Sequence, residues 1–230
     1  MCIRDSSIDS VKEVIKRAST PTTLVIPILN VYGTGPRIGR LVPGVDVLDG
    51  CIYIVGYVSG KGEITQSGRV FRLVCGARPE QGIAQERIEH VAEDLRQCGI
   101  KVDVSDDINR DTFIKWSFIS AMACTGAYYD VSMGAVQHEG EPRNTFKGLS
   151  AESEKIGKCL GITFPEDMAT YNLRIIDKLE PETTASMQKD LANGHQSEIQ
   201  GILFDMIELG EKFDIELPTY QKVAAKFRQI

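Results

Sequence analysis

"ILNVYGTGPRIGR", residues 28–40, decides how the front of this chain is read. An apolar run rich in β-branched residues over 22–29 predicts a buried strand. It passes straight into Gly33, Gly35 and Gly39, with Asp46 and Asp49 a little further on. Glycines after a strand are what a pyrophosphate-cradling turn requires, because a residue without Cβ lets the backbone close on a phosphate. That turn is spaced GxGxxG and continues into a full crossover helix and a second strand ending in an acidic residue. Here Ile38 stands at the third glycine position, and "RIGRLV" is cut off by Pro43-Gly44 after less than two turns. A crossover connection needs about ten residues or more. The two aspartates fall in the loop ahead of the next strand. The stretch is therefore read as the carboxyl end of a later strand in a doubly wound sheet, an edge at which ligands also bind. Asn30 presents an amide there, and the pattern leaves open whether it meets a ligand or only caps the strand.

Downstream, "CIYIVGYVS", "GEITQ" and "RVFRLVC" predict three strands, separated by the turn signals Ser59-Gly60-Lys61-Gly62 and Ser67-Gly68. Residues 80–98 carry Ala84, Ile88, Val91, Ala92, Leu95 and Cys98 on one helical face, with Gly99 as the stop. "IKVDVS" predicts a last short strand. From residue 106 the periodicity is helical throughout, over 107–124, 146–160, 165–179, 195–213 and 218–227, punctuated by Gly161, Pro165, Pro181 and Pro218. The expected fold class is α/β followed by all-α, divided as 1–104 and 105–230.

Upstream, Ser10 and Glu13 have capping-box spacing, and Val11, Val14, Ile15 and Ala18 mark one face of a helix that Pro21 ends. An α/β layer normally opens on a strand, so a helix in first place predicts that sequence is missing ahead of residue 8. "MCIRDSS" has no periodicity and is read as a non-native junction.

The 230 residues suffice for one large or two modest cores, and 42% hydrophobic with 25% charged residues is ordinary globular composition. A net charge of −6 and the lack of any basic run argue against nucleic acid and anionic membranes as partners. Six cysteines without a CxxC pair, most of them in apolar runs, read as reduced core residues of a cytoplasmic protein. His90, His138 and His195 are isolated, so no metal site is expected.

Two stretches could carry chemistry. In "DTFIKWSFISAM", Lys115 is flanked by Phe113, Ile114, Trp116, Phe118 and Ile119. Its ammonium either snorkels to solvent or sits in an apolar pocket, where its pKa falls and it becomes a proton donor near neutrality. "ASMQKDLANGHQSEIQG" sets Ser186, Asp190 and Glu198 ahead of an apolar helix face. Glu198 there either complements a helix dipole or accepts a hydrogen bond from a substrate hydroxyl.

Taken in order, "PILNVYG", "VSDDINRDTFIKW" and "SMQKDLANGHQSEIQG" resemble three signatures of the 2-dehydropantoate 2-reductase (ketopantoate reductase) family, from about residue 8 to the end. The resemblance implies the C-terminal part of a Rossmann-like NAD(P)-binding domain, then a helical substrate and dimerisation domain. It implies NADPH as cofactor, a small 2-oxo acid as substrate (2-dehydropantoate, reduced to pantoate in pantothenate biosynthesis) and a homodimer. It makes Lys115 the proton donor to the substrate carbonyl oxygen and Glu198 the anchor of the substrate hydroxyl. It also brings Ser186 to the substrate, and Asn30 near both nicotinamide and substrate. The family's main glycine-rich loop would lie in the missing part, so the chain alone is expected to be inactive.

Departures from the pattern are specific. The family's N-G-x-G reads Asn30-Val31-Tyr32-Gly33, and Ile119, Ala123 and Met133 stand where the resemblance leads one to expect asparagines. Fewer amides imply a more apolar 2-oxo acid or another carbonyl compound. Two other readings are a non-catalytic helical interaction or dimerisation module, and a relative of the 3-hydroxy acid dehydrogenases. The Ser186 and Glu198 spacing argues against the latter.

Overall fold

The computed structural model describes residues 8–228. The reading of "MCIRDSS" as a junction lies outside the described residues. Those up to Leu29, with Gly33–Thr112, make one compact unit; Asn30–Tyr32 and the residues from Phe113 onward make a second.

The first unit is a mixed sheet with helices. Helix α1 (Ile8–Ala18) opens it, followed by β1 (Leu24–Val25), which pairs in parallel with β2 (Asp46–Val47). The strand expected over 22–29 forms a ladder only at those two residues, extended by the Leu48 N–H donating to the Val25 carbonyl at 2.9 Å. The helix also starts before the Ser10 capping box, and Val14, expected on its buried face, is 56% exposed.

β3 (Asp49–Gly60) and β4 (Glu63–Gly76) form one antiparallel hairpin, and β5 (Lys101–Val104) adds in parallel to β4. The sequence predicts three strands where there are two. Ser67-Gly68 is not a turn between strands but an irregularity within β4, where pairing jumps from Ile54–Phe71 to Val55–Ser67. Gly68 adopts φ 76° there. A bulge and a hairpin turn both call for positive φ, so the same dipeptide signals either.

Helix α3 (Gln85–Gln97) is the crossover between β4 and β5. It begins five residues later than the apolar face suggests, because Pro79–Gln81 form a separate short 3₁₀ turn closed by Gly82 at φ 62°. Its Ile88 and Ala92 pack on Leu48, Leu73, Cys75 and Val102.

The opening glycine stretch has a local explanation. Gly33, at φ 74°, turns the chain into α2 (Thr34–Leu41). The Gly35 N–H then donates to the buried Asp49 Oδ1 at 3.1 Å. A Cβ on Gly35 would lie 2.5 Å from both that oxygen and the Leu48 carbonyl. A carboxylate thus already takes the place at the helix start where an anion would be held. Arg78 Nε pairs with the other Asp49 oxygen at 2.8 Å. Burial pushes the Asp49 carboxyl above its ordinary value, against the opposing pull of Arg78 and the Gly35 N–H.

The second unit is helical. Its axis is α4 (Ile108–Tyr129), which runs five residues past the end expected from sequence. Around it stand α5 (Glu141–Cys159), α6 (Met168–Ile176), α7 (Ser186–Ala192), α8 (Asp205–Phe213) and α9 (Pro218–Phe227). α7 was not among the expected helices, and α5 starts five residues before the predicted 146. The core joins Phe113, Trp116, Ala123, Phe146, Leu149, Met206 and Tyr220, and buried polar side chains are satisfied within it, Asn172 donating to Ser150 at 3.1 Å. Two devices close it. The buried Glu152 accepts the Thr219 and Tyr220 N–H groups at 2.8 and 3.0 Å, capping α9 from α5. Lys226 Nζ donates to the Ala127 and Tyr128 carbonyls near the end of α4, at 3.1 and 2.6 Å.

Candidate active site

α4 places Lys115 and Trp116 next to each other in the second unit. Lys115 is half-buried between Ile114 and Trp116, both buried. It is neither an open surface lysine nor a fully enclosed one. Trp116 faces inward, and three contacts converge on it. Tyr32 stacks on its ring with centroids 5.7 Å apart and 18° between planes. Phe113 meets it edge-on at 5.5 Å and meets Tyr32 edge-on at 5.3 Å. Its indole Nε1–H donates to the Gly201 carbonyl at 2.9 Å.

The Tyr32 contact explains why Asn30–Tyr32 belongs with the helical unit although its neighbours on both sides belong with the sheet. Asn30, half-buried, is thereby tethered two residues from the stack beside Lys115.

The Gly201 contact ties in the other end. Residues Gln200–Phe204 form a π-helical turn before α8, closed by the Asp205 N–H reaching the Gln200 carbonyl. Helix α4 takes up two carbonyls of that turn. Trp116 bonds Gly201, and Ser120 Oγ bonds Ile202 at 2.7 Å while also meeting the buried Tyr220 hydroxyl at 2.8 Å. Glu198 lies just ahead of the turn and is 7% exposed, with its own carbonyl accepting the Ile202 N–H. It is a buried carboxylate at the entry of the turn, a position open both to the helix dipole and to a substrate hydroxyl. Widened turns of this kind interrupt regular helices at a cost and are concentrated at functional sites.

Ser186 stands apart as the exposed first residue of α7. That helix is fastened to the segment just after α4 by Gln188 Nε2, which donates to the Val131 carbonyl at 3.1 Å. Asp190, on the same helix, is 8% exposed, and its carbonyl accepts the His195 N–H at 2.8 Å. The contacts of Trp116 thus reach Tyr32, two residues from Asn30, and Gly201, three residues from Glu198, while Ser186 stands on a helix with a separate attachment. The positions of the missing amides are packed: Ala123 and Met133 are fully buried and Ile119 lies against the same core.

The sequence reading missed the π turn and the part played by Trp116. The signal was present, since an aromatic at 32 and a pair at 113 and 116 are what a stack requires, but nothing local pairs residues so far apart. Among the described residues, no group of three or more His, Cys, Asp or Glu side chains is placed to hold a metal ion, and no helix is long and apolar enough to cross a membrane.

The chain is thus a mixed sheet unit followed by a helical unit that carries a half-buried lysine and a buried carboxylate, an α/β and all-α architecture. Residues 107–230 match the family described as "Ketopantoate reductase PanE/ApbA C terminal". The chain belongs to the ketopantoate reductase family. It is 28% identical to the 2-dehydropantoate 2-reductase of Mesorhizobium japonicum over 207 residues, covering 88% of this chain and 60% of that relative. Among solved structures, 2-dehydropantoate 2-reductase from Geobacter metallireducens GS-15 superimposes with a TM-score of 0.88 at 20% identity, over 98% of this chain and 74% of its own. The ternary structure of D-mandelate dehydrogenase with NADH and anilino(oxo)acetate gives 0.84 at 17% identity, over 96% and 71%. The last two likenesses speak for the fold.

Proposed function

We propose that the helical unit is the substrate half of a nicotinamide-dependent reductase of small 2-oxo acids, with 2-dehydropantoate as first candidate and NADPH as cofactor. One observation carries the reading: the half-buried Lys115 and the buried Glu198 are held on segments fastened to each other by the Trp116–Gly201 bond. Support also comes from the curated relative named for that reaction, and from a structural neighbour that holds NADH with an oxo acid.

A reduced nicotinamide supplies hydride when bound. The start of α2 does not fit its pyrophosphate, because the Asp49 carboxylate occupies the Gly35 N–H. Within this chain, Asn30 is the residue assigned to the nicotinamide side. Lys115 then stabilises the negative charge that grows on the carbonyl oxygen and protonates it. Glu198 accepts a hydrogen bond from the substrate hydroxyl, and Ser186 adds a hydroxyl at the substrate's other side. The apolar Ile119, Ala123 and Met133 leave fewer polar contacts than the family pattern has, which favours a more apolar acid.

A calorimetric panel tests this with 2-dehydropantoate, 2-oxoisovalerate and 3-hydroxyisobutyrate. Saturable binding of a 2-oxo acid, weakened in Lys115→Ala, is the expected result. Preference for the 3-hydroxy acid would move the chain to the other dehydrogenase class. No binding by any of the three would favour the non-catalytic module.

A further inference from the structure

We propose that Trp116 is a positioning residue for Glu198: its indole N–H fixes the π turn at Gln200–Phe204 and, through it, the place of the carboxylate that precedes the turn. The proposal rests on the substrate reading above only for what Glu198 binds.

Four observations converge. The indole bond to the Gly201 carbonyl is 2.9 Å long and buried. The next carbonyl, Ile202, is taken by Ser120, one helical turn along α4 from Trp116. The turn itself is wide, its first carbonyl being reached by the Asp205 N–H five residues on rather than four. Finally, the Glu198 carbonyl bonds the Ile202 N–H, so the carboxylate-bearing residue is one bond removed from the pinned carbonyls. A helix start that is otherwise free to relax to regular α geometry is thus held in another shape by donors from α4. Relaxation by one residue would rotate Glu198 by about 100°, since a regular helix has about 3.6 residues per turn. Tyr32 stacks on the same ring and Phe113 meets it edge-on, so two aromatic contacts hold the indole whose N–H bonds this carbonyl.

Trp116→Phe keeps a stacking ring and removes the N–H. Ser120→Ala releases the neighbouring carbonyl without touching the stack. Amide hydrogen exchange and calorimetric titration with 2-dehydropantoate are measured on both variants and on Glu198→Gln. Exchange of residues 200–206 is expected to accelerate about fivefold, the loss of one net hydrogen bond, with α5 unchanged in both variants and α9 unchanged in Trp116→Phe (Ser120→Ala also frees the Tyr220 hydroxyl of α9), and the dissociation constant to rise by a similar factor. Unchanged exchange in Trp116→Phe overturns the proposal whether or not the acid binds. Acceleration spread evenly over the helical unit overturns it in favour of a packing role. Faster local exchange with an unaltered dissociation constant overturns it too, provided Glu198→Gln does weaken binding. If the wild-type chain binds no 2-dehydropantoate, the substrate reading fails by itself, and the exchange pattern still decides whether Trp116 sets the turn.

Discussion

Trp116 donates its indole N–H to the carbonyl of Gly201, 85 residues away in sequence, and in doing so joins the helix that carries Lys115 to the turn that follows Glu198. On its other side the same ring carries Tyr32. The ring and its contacts thus fall one residue from Lys115, two from Asn30 and three from Glu198 along the chain.

Turnover gives the sharpest test of the lysine. In a form of the protein that carries a complete nucleotide-binding half, Lys115→Ala is expected to lower the rate of NADPH oxidation by 2-dehydropantoate about a hundredfold or more, as loss of a general acid does. Turnover within a factor of about two of wild type would remove Lys115 from the mechanism.

Gly35→Ala tests the reading of the opening glycine stretch. The added Cβ meets Asp49 and the Leu48 carbonyl at 2.5 Å, and backbone on one side leaves little room to relax. A loss of about 1–3 kcal/mol is expected in urea denaturation, the usual cost of overpacking. Gly39, whose Cβ position has nothing within 4 Å, is the control and should tolerate alanine with only a small change. Equal effects at the two positions would contradict the close approach.

Glu152 links α5 to the start of α9 by accepting two backbone N–H groups while 4% exposed. Glu152→Ala removes the cap and is expected to cost about 1–2 kcal/mol, as loss of a helix cap does. Exchange should quicken first at the start of α9, and if protection there is unaltered the cap is not what holds the helix.

Acid stability follows from Asp177. Paired hydrogen bonds from Arg143, at 2.7 and 3.0 Å, hold its carboxyl below the ordinary value. A carboxylate with a lowered folded-state pKa contributes stability above its unfolded value and loses it as pH falls through the folded one. The advantage of wild type over Asp177→Asn should thus be present at neutral pH and vanish in strong acid. It should be modest, because Asp177 is 41% exposed. An advantage that stays undiminished in strong acid, below the lowered pKa itself, would contradict the assignment.

Thiol reactivity separates the cysteines by burial. Burial raises Cys75 to about 11 and Cys124 to about 12, whereas Cys98 and Cys159 are exposed. A disulfide-exchange reagent at neutral pH should label Cys98 and Cys159 quickly and Cys75 and Cys124 only on unfolding, since the thiolate is the reacting species. Rapid labelling of Cys124 in the native state would contradict the packing of α4.

Local chemistry made most of the elements legible and left their edges unclear. α9 is found over 218–227 as predicted, because Pro218 starts it and an apolar face runs its length. Ser67-Gly68 predicts a turn but sits at the β4 irregularity, because the dipeptide serves a bulge as readily as a turn. The apolar face predicts an earlier start for α3 because Ala84 matches the periodicity while serving as the residue before the helix. In the site, Lys115 and Glu198 stood out as charges among apolar neighbours. The stack of Tyr32 on Trp116 and the π turn did not, since both depend on pairing between distant segments that no local pattern encodes.

Trp116 is the only tryptophan in the chain, so its emission reports on the surroundings of the bond to Gly201. The first measurement is a fluorescence titration of the protein with 2-dehydropantoate, run beside Glu198→Gln. Saturable quenching in the wild type, weakened at least tenfold in the variant (about 1.4 kcal/mol), is the predicted result. Equal saturation curves for the two proteins would contradict the placement of Glu198 at the substrate, and with it the central claim.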